Sequence, residues 1–160
     1  MKKYPSNSPE AMARILVMQM MCDGSFDPEE IEELEHLRAY EILGITRKGF
    51  IQVLQAYCAD ISDEADENGQ IRLIDKQRID DLLETIDEPQ KRLQLAALAL
   101  DIAKSDQEIC DAELAVFSRM LKKMAFIARR FSHRFWRINP LIAQAVHDTT
   151  PRCLSFMSFQ

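Results

Sequence analysis

Apolar residues recur along this chain at the three- and four-residue spacing of α-helices, and no strand-like alternation rises above noise. The pattern predicts helices at about 9–22, 28–43, 47–59, 73–86 and 89–104, with a last one from residue 111 onward. It therefore predicts an all-α fold: a single-domain bundle of about six to eight helices.

Residues that start and stop helices stand at the ends of these segments. Asp27 can cap a helix whose first residue is Pro28, and Glu30 completes a capping-box-like arrangement. Gly44 is placed to end that helix, because glycine adopts the left-handed conformation without steric cost. Thr46 is expected to cap the next helix.

The most apolar segment, Leu93–Ile102, is expected to form the central helix of the bundle. Pro140 should stop or kink the last helix. We accordingly divide the chain into an N-terminal extension (1–9), a helical domain (10–147) and a C-terminal tail (148–160).

Composition and charge narrow the class of protein. No apolar run reaches the roughly 18 residues of a membrane span, and the start of the chain lacks the apolar region of a secretory signal. A cytoplasmic location is expected, with free thiols at Cys22, Cys58, Cys110 and Cys153. Residues 1–113 hold 12 basic and 25 acidic side chains, whereas residues 114–160 hold 8 and 1. This acidic body and basic tail are complementary, which suggests a homodimer.

Two segments, Cys22–Ile31 and Ser105–Leu114, align without gaps. In each, an apolar helix ends at an Asp, a hydrophobic residue follows three positions later, and a Glu stands at the seventh position after the Asp, where the next helix begins. An internal repeat of this kind predicts two related helical hairpins around one core.

These repeated turns resemble those of the TerB-like (tellurite-resistance) family, which has a small residue, Asp and Gly, then an apolar, an acidic and a Glu position at a turn between helices, twice in one all-α domain. The resemblance covers roughly residues 10–125. The second copy departs from it, with Gln107 in place of Gly24 and Cys110 in place of Asp27. The resemblance implies a cytoplasmic bacterial protein linked to tellurite or general stress resistance, with an acidic, cation-binding surface and protein partners at or near the inner membrane. We expect the protein to be non-enzymatic.

The carboxylates of the two turns are candidate ligands for a divalent cation. Hard cations such as Ca²⁺ and Mg²⁺ need several converging oxygen ligands, and the thiol in the second copy would favour Zn²⁺. The predicted ligands are Asp23, Asp27, Glu30, Asp106, Glu108, Cys110 and Glu113. Helix capping by the same acids is the competing explanation.

A second acidic stretch, Glu64–Asp75, has the spacing of a calcium-binding loop, although Asp stands at the last position, where Glu is usual. A solvated acidic loop is the simpler interpretation, and it is the one we prefer.

The basic segment 119–137 supports an alternative function. Its cations, interleaved with aromatic residues, could bind an anionic membrane, with nucleic acid the weaker choice. An ordinary amphipathic helix, with its apolar stripe on the core, explains the same pattern. The basic residues concerned are Lys122, Lys123, Arg129, Arg130, Arg134 and Arg137.

An enzyme of unknown reaction is the second alternative. None of the three histidines, His36, His133 and His147, stands in a sequence context that suggests a catalytic base. No catalytic residue is predicted.

Overall fold

The computed structural model describes residues 1–24, 28–105 and 111–128. Within these ranges the chain forms seven α-helices and no strand, which confirms the all-α class and the predicted number of helices. The helices are α1 (Pro9–Met20), α2 (Pro28–His36), α3 (Ala39–Leu43), α4 (Arg47–Ser62), α5 (Lys76–Glu84), α6 (Pro89–Ser105) and α7 (Asp111–Ala128).

Side chains next to the helix starts satisfy the first backbone N–H groups. Ser8 Oγ accepts from Ala11 N at 3.1 Å at the start of α1. Thr46 Oγ1 accepts from Gly49 N at 3.1 Å, so the predicted cap of α4 is confirmed. The helix predicted from about residue 73 begins later, because the carboxylate of Asp75 accepts from the backbone N–H of Arg78 and caps α5.

Helix α1 occupies the centre of the bundle. Every residue from Ala11 to Met20 is buried, and α1 packs against α3, α4, α5, α6 and α7. The prediction of a central helix at Leu93–Ile102 is therefore wrong: α6 packs chiefly on α1, α2 and α7, and Leu93 and Leu100 are only half-buried. Residue composition indicated that α6 is apolar, but not how many neighbours it has.

The single helix predicted from Pro28 to Leu43 is broken into α2 and α3. Arg38 interrupts it in the left-handed conformation, with φ 54°. The change of direction lets α3 bury Ala39 and Leu43 against the core, while Ile42 turns outward. Gly44 ends α3 at φ 73°, as predicted.

Residues before α1 are fixed on the end of α5 and the start of α6. The backbone N–H of Asn7 donates to Thr85 O at 2.9 Å. The side-chain oxygen of Asn7 accepts from the backbone N–H groups of Asp87 and Glu88 at 2.9 and 3.0 Å. These contacts anchor the segment that leads back from Asn7 to Met1.

Among the described helices, none combines the length and the apolar character needed to cross a membrane.

Candidate functional site

The first acidic turn follows directly from the C-terminal end of α1. Cys22 is buried and Asp23 is exposed. Gly24 has φ 90°, and a Cβ at this position would lie 3.0 Å from Leu73 Cδ1. The positive φ favours glycine here, and a side chain would also crowd the end of the Leu73 side chain in the loop before α5.

Two of the seven predicted metal ligands have described side chains. Asp23 lies on the exposed turn, and Glu30, in the first turn of α2, is buried at 6% exposure. Asp27, Asp106, Glu108 and Cys110 lie outside the described residues. Glu113 lies in the first turn of α7, where its side chain is not described. Within the described ranges no group of three or more acidic, Cys or His side chains is arranged to hold a metal.

Three of the four acidic residues of the calcium-loop candidate, Glu64, Asp66 and Asp75, have structural partners. Glu64 Oε2 lies 3.0 Å from Arg78 Nη1. Asp66 accepts from the backbone N–H groups of Asn68 and Gln70 and closes its own turn. Asp75 caps α5. These contacts favour the interpretation as a structural acidic loop.

Arg14, in the middle of α1, is a buried charge at 1% exposure. One guanidinium N–H group donates to the carboxylate of Asp60 on α4. The guanidinium carbon lies 5.8 Å from the ring centre of Tyr4 and 5.2 Å from that of Tyr57. Nε and Nη1 of Arg14 have no hydrogen-bond partner among the described residues.

A second buried arginine, Arg78, fixes the loop before α5. Its guanidinium donates to the carbonyl of Arg72 and, at 3.4 Å, to that of Leu73. Burial raises the pKa of Tyr57 to about 12, even though the nearby cations Arg78 and Arg14 act in the opposite direction. Tyr57 therefore stays protonated and neutral beside two cations.

A cleft of about 370 Å³ opens beside Arg14, between residues 1–4, α1 and the C-terminal end of α5. Its charged lining residues include Lys2 and Lys3 on one side and Asp81 and Glu84 on the other. The volume lies within the range of small-molecule sites. No histidine is found in this described lining, so the combination of carboxylates and a histidine that would indicate an enzyme is not met there.

Sequence reasoning missed this cleft, although one signal was present. Arg14 is the only charged residue in the run from Ala11 to Met20, whose other members are apolar apart from Gln19. A charge in the middle of a run that dense in apolar residues indicates a buried, partnered cation. The partner, Asp60, lies 46 positions away and has no local sequence mark.

Two cations in the described part of the basic segment, Arg119 and Lys123, face the acidic body of the protein, whereas Lys122 is exposed. Arg119 Nε and Nη2 donate to the carboxylate of Asp80 at 2.7 and 2.5 Å. Lys123 Nζ lies 2.8 Å from Glu84 Oε1. These two cations on α7 are paired with α5, as the amphipathic-helix interpretation expects. The predicted basic residues from Arg129 onward lie outside the described residues.

Comparison of the chain with protein-family models, with curated proteins and with solved structures finds no match.

Proposed function

We propose that this chain is a cytoplasmic, non-enzymatic stress-response protein of the TerB-like type, and that its two acidic turns bind a divalent cation weakly. The proposal requires two related hairpins, α1–α2 and α6–α7, because the second turn has to supply ligands that the first one lacks.

The packing of the helices is the observation that carries the proposal. α2 packs against α6, and α7 packs against α1. Exchanging the two hairpins converts one of these contacts into the other, although α6 packs extensively on α7 whereas α1 and α2 are not extensively packed on each other among the described residues. α2 and α7 would then be equivalent, although they differ in length.

The crossing of α1 and α6 is consistent with the same symmetry. Gln19 Nε2 donates to Ala99 O at 2.9 Å in the buried interface. When Cys22 is aligned with Ser105, Ala99 corresponds to Leu16, about one helical turn before Gln19. Near-equivalent parts of the two helices therefore meet, and each acidic turn begins within about two helical turns of this crossing.

The donor types determine the class of ion. Asp23, Asp27 and Glu30 would offer hard oxygen ligands suited to Ca²⁺ or Mg²⁺. Cys110 in the second turn would offer a thiolate, which favours Zn²⁺. Because the first turn alone is too open to hold an ion tightly, we expect weak affinity.

Thermal unfolding with added ions tests the proposal. An ion at ten times its Kd would stabilise the folded protein by about 1.4 kcal/mol, which corresponds to a rise in melting temperature of about 4 °C. We expect a shift with Ca²⁺ or Zn²⁺ in the parent protein and its loss in Asp23→Asn. Cys110→Ser should remove only the response to Zn²⁺.

Glu67→Gln provides the matched control, because Glu67 is an exposed acid in the loop before α5. It should respond to the ions as the parent does. No shift with either ion in the parent would leave helix capping as the explanation of the turn acids. A Zn²⁺ shift that Cys110→Ser abolishes and Asp23→Asn leaves intact would assign the site to the thiol and not to the carboxylates.

A further inference from the structure

The guanidinium of Arg14 has unused hydrogen-bonding capacity. Its side chain is 1% exposed, yet among the described residues only one of its nitrogens has a hydrogen-bond partner, the carboxylate of Asp60. Nε and Nη1 have none among the described residues. Leaving buried N–H donors of a charged group without an acceptor costs several kcal/mol, so buried donors are normally paired.

The cleft beside Arg14 offers a place for the missing acceptor. It is lined by Arg14, Lys2 and Lys3 and is large enough for a small organic molecule. Tyr4 also lines it, and the Tyr4 ring lies over the guanidinium.

The uncompensated charge of this cleft is positive. Glu84 is paired with Lys123 on α7, and Asp81 accepts from Gln77 Nε2 at 2.7 Å. Lys3, by contrast, makes no ion pair with any described residue. Glu84 is therefore paired with a cation, and the remaining acid, Asp81, is outnumbered by Lys2 and Lys3, which make no ion pair with described residues. Arg14 and Lys3 also have unused hydrogen-bond donors.

We propose that this cleft binds a small organic anion through its carboxylate or phosphate group. The unused donors of Arg14, Nε and Nη1, suit an oxyanion, because hydrogen bonds from a guanidinium to a carboxylate or phosphate oxygen are charge-assisted and stronger than neutral ones. Lys3 adds a second cation at the rim of the cleft.

Entry of the ligand requires the N-terminal segment to move. Residues 1–4 are fixed near Arg14 by the backbone N–H of Lys2, which donates to Asp60 Oδ2 at 2.7 Å, and by the cation–π contact of the Tyr4 ring with the guanidinium. We expect the anion to reach one of these two donors when the Tyr4 ring shifts, while the bond from Arg14 to Asp60 is kept. Binding therefore changes the surroundings of Tyr4 as well as those of Arg14.

Nuclear magnetic resonance titration of the full chain tests the site. The probes are inorganic phosphate and succinate, added separately at constant ionic strength with sodium chloride as balance. We expect saturable shifts of the Arg14 Nε–Hε signal and of the amides of Lys3 and Tyr4. Saturation with phosphate alone assigns the ligand to the phosphate class, and saturation with succinate alone assigns it to the carboxylates.

Three variants separate binding from folding. Lys3→Gln alters an exposed side chain and should raise the Kd about threefold to tenfold, the worth of one partly solvated charge-assisted hydrogen bond. Lys48→Gln removes a cation about 18 Å along α4 from Asp60 and should leave the Kd unchanged. Arg14→Lys, if it folds, should abolish saturation.

Shifts that stay linear with both probes, or that are equal in Lys3→Gln and Lys48→Gln, would overturn the proposal. The Arg14 donors would then be met by water. The cation experiment uses other residues and measures melting temperature. A negative anion titration therefore does not contradict the proposed cation binding, and a negative cation experiment does not contradict the anion site.

Discussion

At the scale of single residues, Arg14 is the most deeply buried charge of the described core, and its counter-charge is Asp60. Burial raises the pKa of Asp60, but the hydrogen bonds from the Lys2 backbone and from Arg14 outweigh it, and the net pKa is lowered. A carboxyl group with a folded-state pKa below its unfolded value of about 3.9 stabilises the fold above that pH. The contribution is lost as the pH falls through the folded-state pKa.

Asp60→Asn should destabilise the protein by about 3 kcal/mol at neutral pH, because it leaves a buried guanidinium without its counter-charge. Urea unfolding at pH 7 and near pH 3 measures the effect. The difference between parent and variant should shrink at the lower pH, where the parent carboxylate is itself being protonated. Glu67→Gln is the control, and a similar loss in both variants would show that the pair contributes nothing special.

At the scale of helices, local signals predicted the ends well. Pro28, Pro89 and Asp111 begin α2, α6 and α7 as predicted, and Thr46 and Gly44 cap the ends expected of them. In each case the signal lies in one or two neighbouring residues whose backbone preference is fixed by their own chemistry.

The break between α2 and α3 had no such signal. Neither Gly nor Pro lies near Arg38, and the apolar spacing continues through it. The left-handed turn is imposed by tertiary packing, because it allows Ala39 and Leu43 to reach α1. A non-glycine residue held in this conformation costs about 1 kcal/mol.

Arg38→Gly should therefore stabilise the protein by about 1 kcal/mol, because glycine adopts a positive φ without that cost. The side chain being removed makes only an exposed ion pair with Glu41, worth little in water. Arg38→Ala loses the same ion pair and keeps the strain, so it should bring no gain. Equal melting temperatures for the two variants would mean that Arg38 is not strained.

At the scale of the whole molecule, the sequence predicted the class of fold and, for the part of the chain that the structure describes, a number of helices in the right range. It did not predict which helix is central or where a ligand could enter. The cleft joins residues 1–4 to Arg14 and to the end of α5, parts of the chain up to about 80 positions apart. Periodicity describes one helix at a time, so a site made by long-range contacts leaves no regular trace in it. The acidic turns, which are local, were visible.

The two ends of the chain provide the last prediction, because both lie outside the segments where the helical period is strong. Residues 148–160 follow Pro140 and are rich in turn-forming residues, so their deletion should leave the melting temperature nearly unchanged. Deleting residues 1–4 should instead lower the free energy of unfolding by about 1–2 kcal/mol, since it removes the ring over Arg14 and a hydrogen bond to Asp60.

Thermal unfolding of the two truncated proteins measures the contrast. A loss of several kcal/mol in the first would show that Leu154, Phe156 or Phe159 is docked on the core, and an unchanged second would show that residues 1–4 contribute nothing to the site around Arg14.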